Sequence, residues 1–154
     1  MDAQSVPNAS SAEMKGYDAG KQISGIKRHI AVDTNGLPHA IHITAANGTD
    51  RGGAITMIEK TRQNMGLVRT MLADGGYTGT SFQETIKALI GADVVIAKRN
   101  ELHTFVVIPQ RWVVERSFSW LEKCRRLWRN CERLIASSRA MMQLAFIRIL
   151  LKRR

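Results

Sequence analysis

Cysteine is scarce in this chain, with two in 154 residues. Cys124 and Cys131 lie in a stretch of helical periodicity whose spacing would set them on one face, about 10 Å apart along the axis and too far for a disulfide. Buried free thiols are expected. No Cys/His grouping has zinc-finger spacing. His39 and His42 are near each other, but an offset of three on a strand sends them to opposite faces, so a histidine metal site is not expected there. Long apolar runs are also missing: none approaches the roughly 20 residues that cross a bilayer. The opening "MDAQSVPNASSAEMKGYDAG" lacks the basic start and apolar middle of a signal peptide. No membrane partner is expected, and the expected location is the cytoplasm. Internal repeats and low-complexity tracts are absent.

Acidic residues are the most telling shortage. Thirteen Asp and Glu face twenty-three Lys and Arg, a net charge of +10. Such a balance favours a polyanionic partner, and nucleic acid is the default for a cytoplasmic chain; a merely solvated basic surface is the plainer alternative. The excess is concentrated from Gln110 onward, where the only acids are Glu115, Glu122 and Glu132.

What is present suits one α/β domain with a core of its own. "RHIAVDTNGLPHAIHIT" is a hairpin signal, with β-rich runs at Arg28–Val32 and His39–Thr44 around the turn "DTNG". A helix is expected over Gly53–Met65, ended by Gly66, then a strand over Leu67–Ala73. A second helix over Ser81–Ile90 carries a capping-box pattern, Ser81 with Glu84, and Gly91 stops it. "DVVIAKR" reads as a further strand. From Pro109, suited to a first helical position, the period is helical for a long stretch. Val113, Ser117, Trp120, Leu121, Cys124, Leu127, Trp128, Cys131 and Leu134 then form one apolar stripe. A last helix runs from about Ser137 to Leu151. Residues 8–25 are small and polar and read as a mobile loop.

Three acids stand where elements begin or end. Asp74 follows an apolar strand and precedes Gly75 and Gly76. It can tie a turn through its own backbone, or point from the carboxyl end of a strand into the crevice where open α/β sheets place ligands. Glu115 lies nearly opposite the apolar stripe, with Arg111, Arg126, Arg129 and Arg133 on its side of the helical wheel. It can form intrahelical ion pairs, or hold a metal beside phosphates that the arginines grip. Asp2, in "MDAQSV", looks like the end of a strand that has lost its first half and is short of pairing partners. Divalent-metal phosphoryl-transfer sites need several such hard oxygen ligands.

Four ordered blocks, "MDAQSV", "GYDAGKQISGIKRHIAVDTNGL", "ADGGYTG" and "RWVVERSFSWLEKCRRLWRNCERL", carry a resemblance. The chain resembles the DDE transposases of bacterial insertion sequences, specifically insertion-sequence family five, from Asp2 to about Arg154. The resemblance implies a ribonuclease-H-like mixed sheet flanked by helices, with a long basic C-terminal helix. It makes residues 1–154 a catalytic domain lacking the N-terminal DNA-binding segment, the downstream half of a split or truncated transposase. By position it implies the metal-binding catalytic triad Asp2, Asp74 and Glu115, using Mg²⁺ or Mn²⁺ as two ions. Arg111, Arg116, Lys123, Arg126 and Arg129 are the implied DNA contacts. The implied reaction is cleavage of DNA at element ends and strand transfer into target DNA, with an upstream transposase segment or a second copy as partner, near the nucleoid. A non-catalytic DNA-binding remnant and a nuclease without strand transfer are the alternatives. The chain departs from the family where a tyrosine is commonly found, at Ile108, and at Glu122, where a basic residue is expected and Lys123 follows. Asp33 is a rival for the first acid, but it opens the hairpin turn, where Asp is structurally favoured.

Overall fold

The computed structural model describes residues 1–97 and 111–152. The expectations for Pro109 and Ile108, and for the end of the strand after Ala97, lie outside the described residues. Strands are β1 (Asp2–Pro7), β2 (Gly16–Asp18), β3 (Ile23–Val32), β4 (Pro38–Ala45), β5 (Thr70–Ala73) and β6 (Asp93–Ile96). Helices are α1 (Asp50–Thr61), α2 (Thr80–Ile90), α3 (Arg111–Glu122) and α4 (Ile135–Leu151), with short 3₁₀ turns at Arg62–Asn64 and Gly75–Tyr77.

β3 is the centre of an antiparallel sheet. β1 runs along one side of it, from Asp2 opposite Ile30 to Pro7 opposite Gly25. β4 runs along the other, from Ile26 opposite Ala45 to Val32 opposite Pro38. β2 pairs with the first residues of β3. β5 and β6 form a separate parallel pair. The backbone nitrogen of Met1 donates to the Leu72 carbonyl at 2.6 Å, which brings the start of β1 against β5. The domain is thus of mixed α/β class, with an antiparallel sheet and a separate parallel pair where one mixed sheet was expected. β1 is paired along its whole length on one edge, by β3, and Asp2 opens this strand where the sequence suggested a strand's end.

The two-residue period of β3 sorts its side chains between two cores. Ile26 and Ile30 pack with Val6, Phe118, Leu121, Met142 and Phe146 of α3, α4 and β1. Ala31 packs on the other face with Met57, Ile58, Phe82 and Ile86 of α1 and α2. Each face also carries a buried cation, which must be paired to be tolerated. Lys27 reaches Asp50 at 2.8 Å and Asp18 at 3.4 Å. Asp18 also accepts from the Ser5 hydroxyl, and this bond leads the causes that hold its carboxyl down at about 2. Arg28 donates to the Leu127 carbonyl at 2.6 Å, and burial lowers its pKa to about 10.

His29 lies fully buried between Lys27 and Ala31, bonded to the Thr44 hydroxyl at 3.0 Å and stacked on His42. Burial first, then His42, lowers its pKa to about 4. The unfolded imidazole titrates near the ordinary value of 6.5, so between these values the unfolded chain binds more protons and stability falls with falling pH. The loss should begin near pH 6.5, end near pH 4 and amount to about 3 kcal/mol at most. Urea midpoints measured across that window check it: His29→Gln should flatten the slope, and an unchanged slope rejects the assignment.

Four local expectations are corrected. The helix after β5 starts at Thr80 with Gly79 as its cap residue and no side-chain cap bond, so Ser81 and Glu84 do not form a capping box. Gly91 does close that helix, in the left-handed conformation at φ 70°. Residues 8–25, expected as a loop, contain β2 and the first residues of β3, and Asn8 bridges to Asn130. The long basic helix is broken. α3 ends at Glu122, tight turns follow (Cys124 N to Leu121 O, Leu127 N to Cys124 O), and α4 begins only at Ile135. Leu127 turns its carbonyl to Arg28, and the Asn130 backbone pairs with Pro7 and Ala9, contacts that a continuous helix could not make. The apolar stripe accordingly dissolves: Leu127 is buried while Trp128 is 58% exposed. Cys124 and Cys131 are free thiols, half-buried rather than buried, and no helix joins them.

Candidate active site

A cavity of about 810 Å³ opens where the carboxyl ends of β5 and β6 meet the start of β1, the end of β3 and the beginning of α3. Four acids line it: Asp2, Asp33, Asp74 and Glu115. They arrive from four different elements, as expected if strand ends deliver chemistry to a common crevice.

Asp74 performs both functions that its position allows. Its Oδ1 accepts from the Gly76 amide at 3.0 Å, capping the 3₁₀ turn Gly75–Tyr77, while the exposed side chain also lines the cavity. The turn is anchored from below by Tyr77, which is buried against Phe82 with ring centroids 5.6 Å apart. Burial, with the charges of Asp2, Asp50 and Asp74 behind it, pushes the Tyr77 hydroxyl well above its ordinary value, so it stays protonated.

Asp2 is half-buried at the head of β1, and its Oδ1 accepts from the Ala3 amide at 2.7 Å. Burial raises its carboxyl above the ordinary range; the Ala3 amide works against this and the Asp74 carboxylate adds to it. Asp2 and Asp74 line the same cavity, and the Met1 N–Leu72 O bond brings the head of β1 against the strand that ends at Asp74. Asp33 holds the hairpin turn, its Oδ1 accepting from Asn35 N and Leu37 N, each at 2.8 Å. Glu115 is exposed on α3 and faces the same cavity. Among the described residues, no three His, Cys, Asp or Glu side chains cluster closely enough to hold one metal ion. The Asp2–Asp74 pair fits a hard divalent cation with two carboxylates, and Glu115 stands on the wall of the same opening.

The basic residues are more occupied than their count suggests. The Arg116 guanidinium lies between two indoles of its own helix, 4.3 Å from the ring centre of Trp112 and 4.7 Å from that of Trp120. It also donates to the Asn35 carbonyl at 3.0 Å, tying α3 to the hairpin turn. Arg126 pairs with Glu132 at 2.6 Å, Arg133 with Glu13 at 2.7 Å, and Arg129 stacks on Trp128 at 4.5 Å. Lys123 is exposed just beyond α3. Arg111 opens α3, and its side chain lies outside the described residues. Since α3 stops at Glu122, Arg126, Arg129 and Arg133 do not share a helical face with Glu115. Sequence reasoning missed Arg69, an exposed cation on the cavity wall. Its place at the entry to the strand that delivers Asp74 was the available signal.

The domain is thus an α/β unit that gathers acids from the ends of its elements around one opening. It belongs to the family of transposase DDE domains, which matches residues 1–150. It is also similar to a protein of Burkholderia cepacia assigned as the transposase for insertion sequence element IS402, at 35% identity over 116 residues, or 71% of this chain and 54% of the other. The chain spans about half the length of the curated relative it matches. No solved structure matches it significantly. No helix among the described residues is long and apolar enough to cross a membrane.

Proposed function

We propose that this chain is the catalytic portion of an insertion-sequence transposase, compatible with insertion-sequence family five, that cleaves DNA at element ends and joins the freed 3′-hydroxyl to target DNA. The observation that carries the reading is that Asp2, Asp74 and Glu115, from three different elements, line one cavity. A ribonuclease-H-like arrangement would place the β5–β6 pair beside β1 of the β4–β3–β1 sheet, and the Met1 N–Leu72 O bond between the two sheets supports it. Asp2 and Asp74 would hold Mg²⁺ or Mn²⁺, and Glu115 would complete the set. A divalent ion bound there supplies Lewis-acid stabilisation of the phosphate oxygens. Asp74 keeps one oxygen fixed by Gly76 N, so its carboxylate is oriented before DNA arrives. Arg69, on the cavity wall, and Lys123, exposed beyond α3, would hold flanking phosphates. The work would be done on duplex DNA in the bacterial cytoplasm, beside the nucleoid, with further protein (the remainder of a longer chain or a second copy) gripping the element ends.

Two substitutions test the choice of first acid. Each Asn can keep the backbone bond its Asp accepts, so only charge is removed. With the chain fused to the part of the Burkholderia cepacia relative outside the matched region, Asp2→Asn should lower Mg²⁺-dependent cleavage of end DNA more than about 100-fold. Asp33→Asn should stay within a few-fold of wild type, because its oxygen serves the turn. The reverse pattern would make Asp33 the first acid.

A further inference from the structure

Most glycines of this chain are explained by the chain itself; Gly66 and Gly75 are not, and of the two Gly75 is the one on the cavity wall. Gly36, Gly79 and Gly91 have positive φ, which glycine alone adopts freely. At Gly25 and Gly53 a side chain would collide with Val6 and His29. Gly75 has neither excuse. Its φ is not positive, and among the described residues nothing lies within 4 Å of where its Cβ would stand. Glycine there costs the fold conformational entropy and returns no intramolecular advantage. Gly75 nevertheless sits on the cavity wall, directly after Asp74.

The backbone at this point is not free to swing aside. β5 holds it from one side through Ala73, and buried Tyr77 holds it from the other. Asp74 Oδ1 fastens Gly76 N across the turn. A side chain at position 75 would therefore project at a fixed spot on the cavity wall, one residue after Asp74. Glycine is used where a ligand must approach the main chain closely. Arg69 lines the same wall, and Arg51 reaches the far end of this loop, near Gly79. The flanking charge suits a polyanion.

We infer that Gly75 is the contact point for the DNA strand being cut: the sugar–phosphate backbone passes in van der Waals contact with the main chain there, and the missing side chain is what lets the scissile phosphate reach Asp74. This deepens the transposase reading and rests on it.

The test uses the full 154-residue chain, alone and in the fusion described above, with a fluorescein-labelled duplex carrying the element end. Gly75→Ala should leave the thermal midpoint equal to wild type or higher, since it only removes freedom from the unfolded chain. Cleavage should fall in the order wild type, Gly75→Ala, Gly75→Val, with at least a tenfold rise in KM or Kd for Val. Gly20→Ala, with only an ordinary 3.5 Å contact to Asp18 and no cavity-lining residue beside it, should change neither quantity. A lowered midpoint for Gly75→Ala would mean that the fold itself needs the space, and the inference fails. Wild-type binding and cleavage by Gly75→Val would also overturn it, while leaving the transposase reading intact. A wild-type fusion that binds no DNA would sink both.

Discussion

Asp74→Asn should abolish divalent-metal-dependent cleavage while the protein stays folded and still binds DNA. The amide oxygen of Asn can accept the Gly76 N–H that Asp74 Oδ1 accepts at 3.0 Å, so the cap of the turn survives and the thermal midpoint should hold. What disappears is the charge that sits close enough to Asp2 to raise its pKa. Losing a ligand should cost more than the roughly 100-fold penalty for losing a group that merely supports one. DNA binding should hold or strengthen, since one repelling charge is gone. Parallel measurements of cleavage in Mg²⁺ or Mn²⁺, of duplex affinity and of thermal midpoint separate the cases. Normal cleavage by Asp74→Asn would sink the catalytic reading. A wild-type fusion that binds end DNA and never cuts it would leave a DNA-binding remnant.

The largest effect on stability is expected at Gly25. It lies in β3 where that strand is paired on both sides, to Pro7 of β1 and Gly16 of β2. An added Cβ would stand 2.1 Å from the Val6 carbonyl oxygen and 2.9 Å from the Asn8 amide nitrogen. Both are backbone atoms, so no rotamer change can yield; the strand itself must move. Moving it breaks the pairing that holds Asp2 at the head of β1. Gly25→Ala should cost about 3 kcal/mol or more, at the upper end of overpacking effects. A urea titration read by circular dichroism checks the value, and a loss under about 1 kcal/mol would mean β1 can shift without penalty. Cleavage should fall further than the folded fraction, because the molecules that do fold hold Asp2 less firmly.

Much of this was legible in the sequence because short-range chemistry decided it. The β3–β4 hairpin follows from alternating side chains around "DTNG", and Asp33 opens the turn as Asp does. The position of Asp74 could be read from a strand that stops at two glycines. Where long-range contacts decide, the reading failed. The helical period continues through residues 123–134, but Arg28, 99 positions earlier than Leu127, claims that residue's carbonyl. No local pattern shows such a demand. Nor does a count of basic residues show which cations are already engaged. Yet the spacing of Trp112, Arg116 and Trp120, each one helical turn on, does announce a stack, and it was a readable signal.

Arg28 also imposes an order on how the molecule is made. During synthesis β1, β3 and β4 leave the ribosome long before Leu127 exists. Until that carbonyl arrives, burying the guanidinium would strand a cation in an apolar interior, a step several kcal/mol uphill. The early hairpin must therefore keep this face wet, and the core beneath it can seal only when the last third of the chain has been delivered. A nascent chain cut short before Leu127 would present an open apolar sheet to chaperones, so Asp2 is set in its final place only once the last third of the domain has been made.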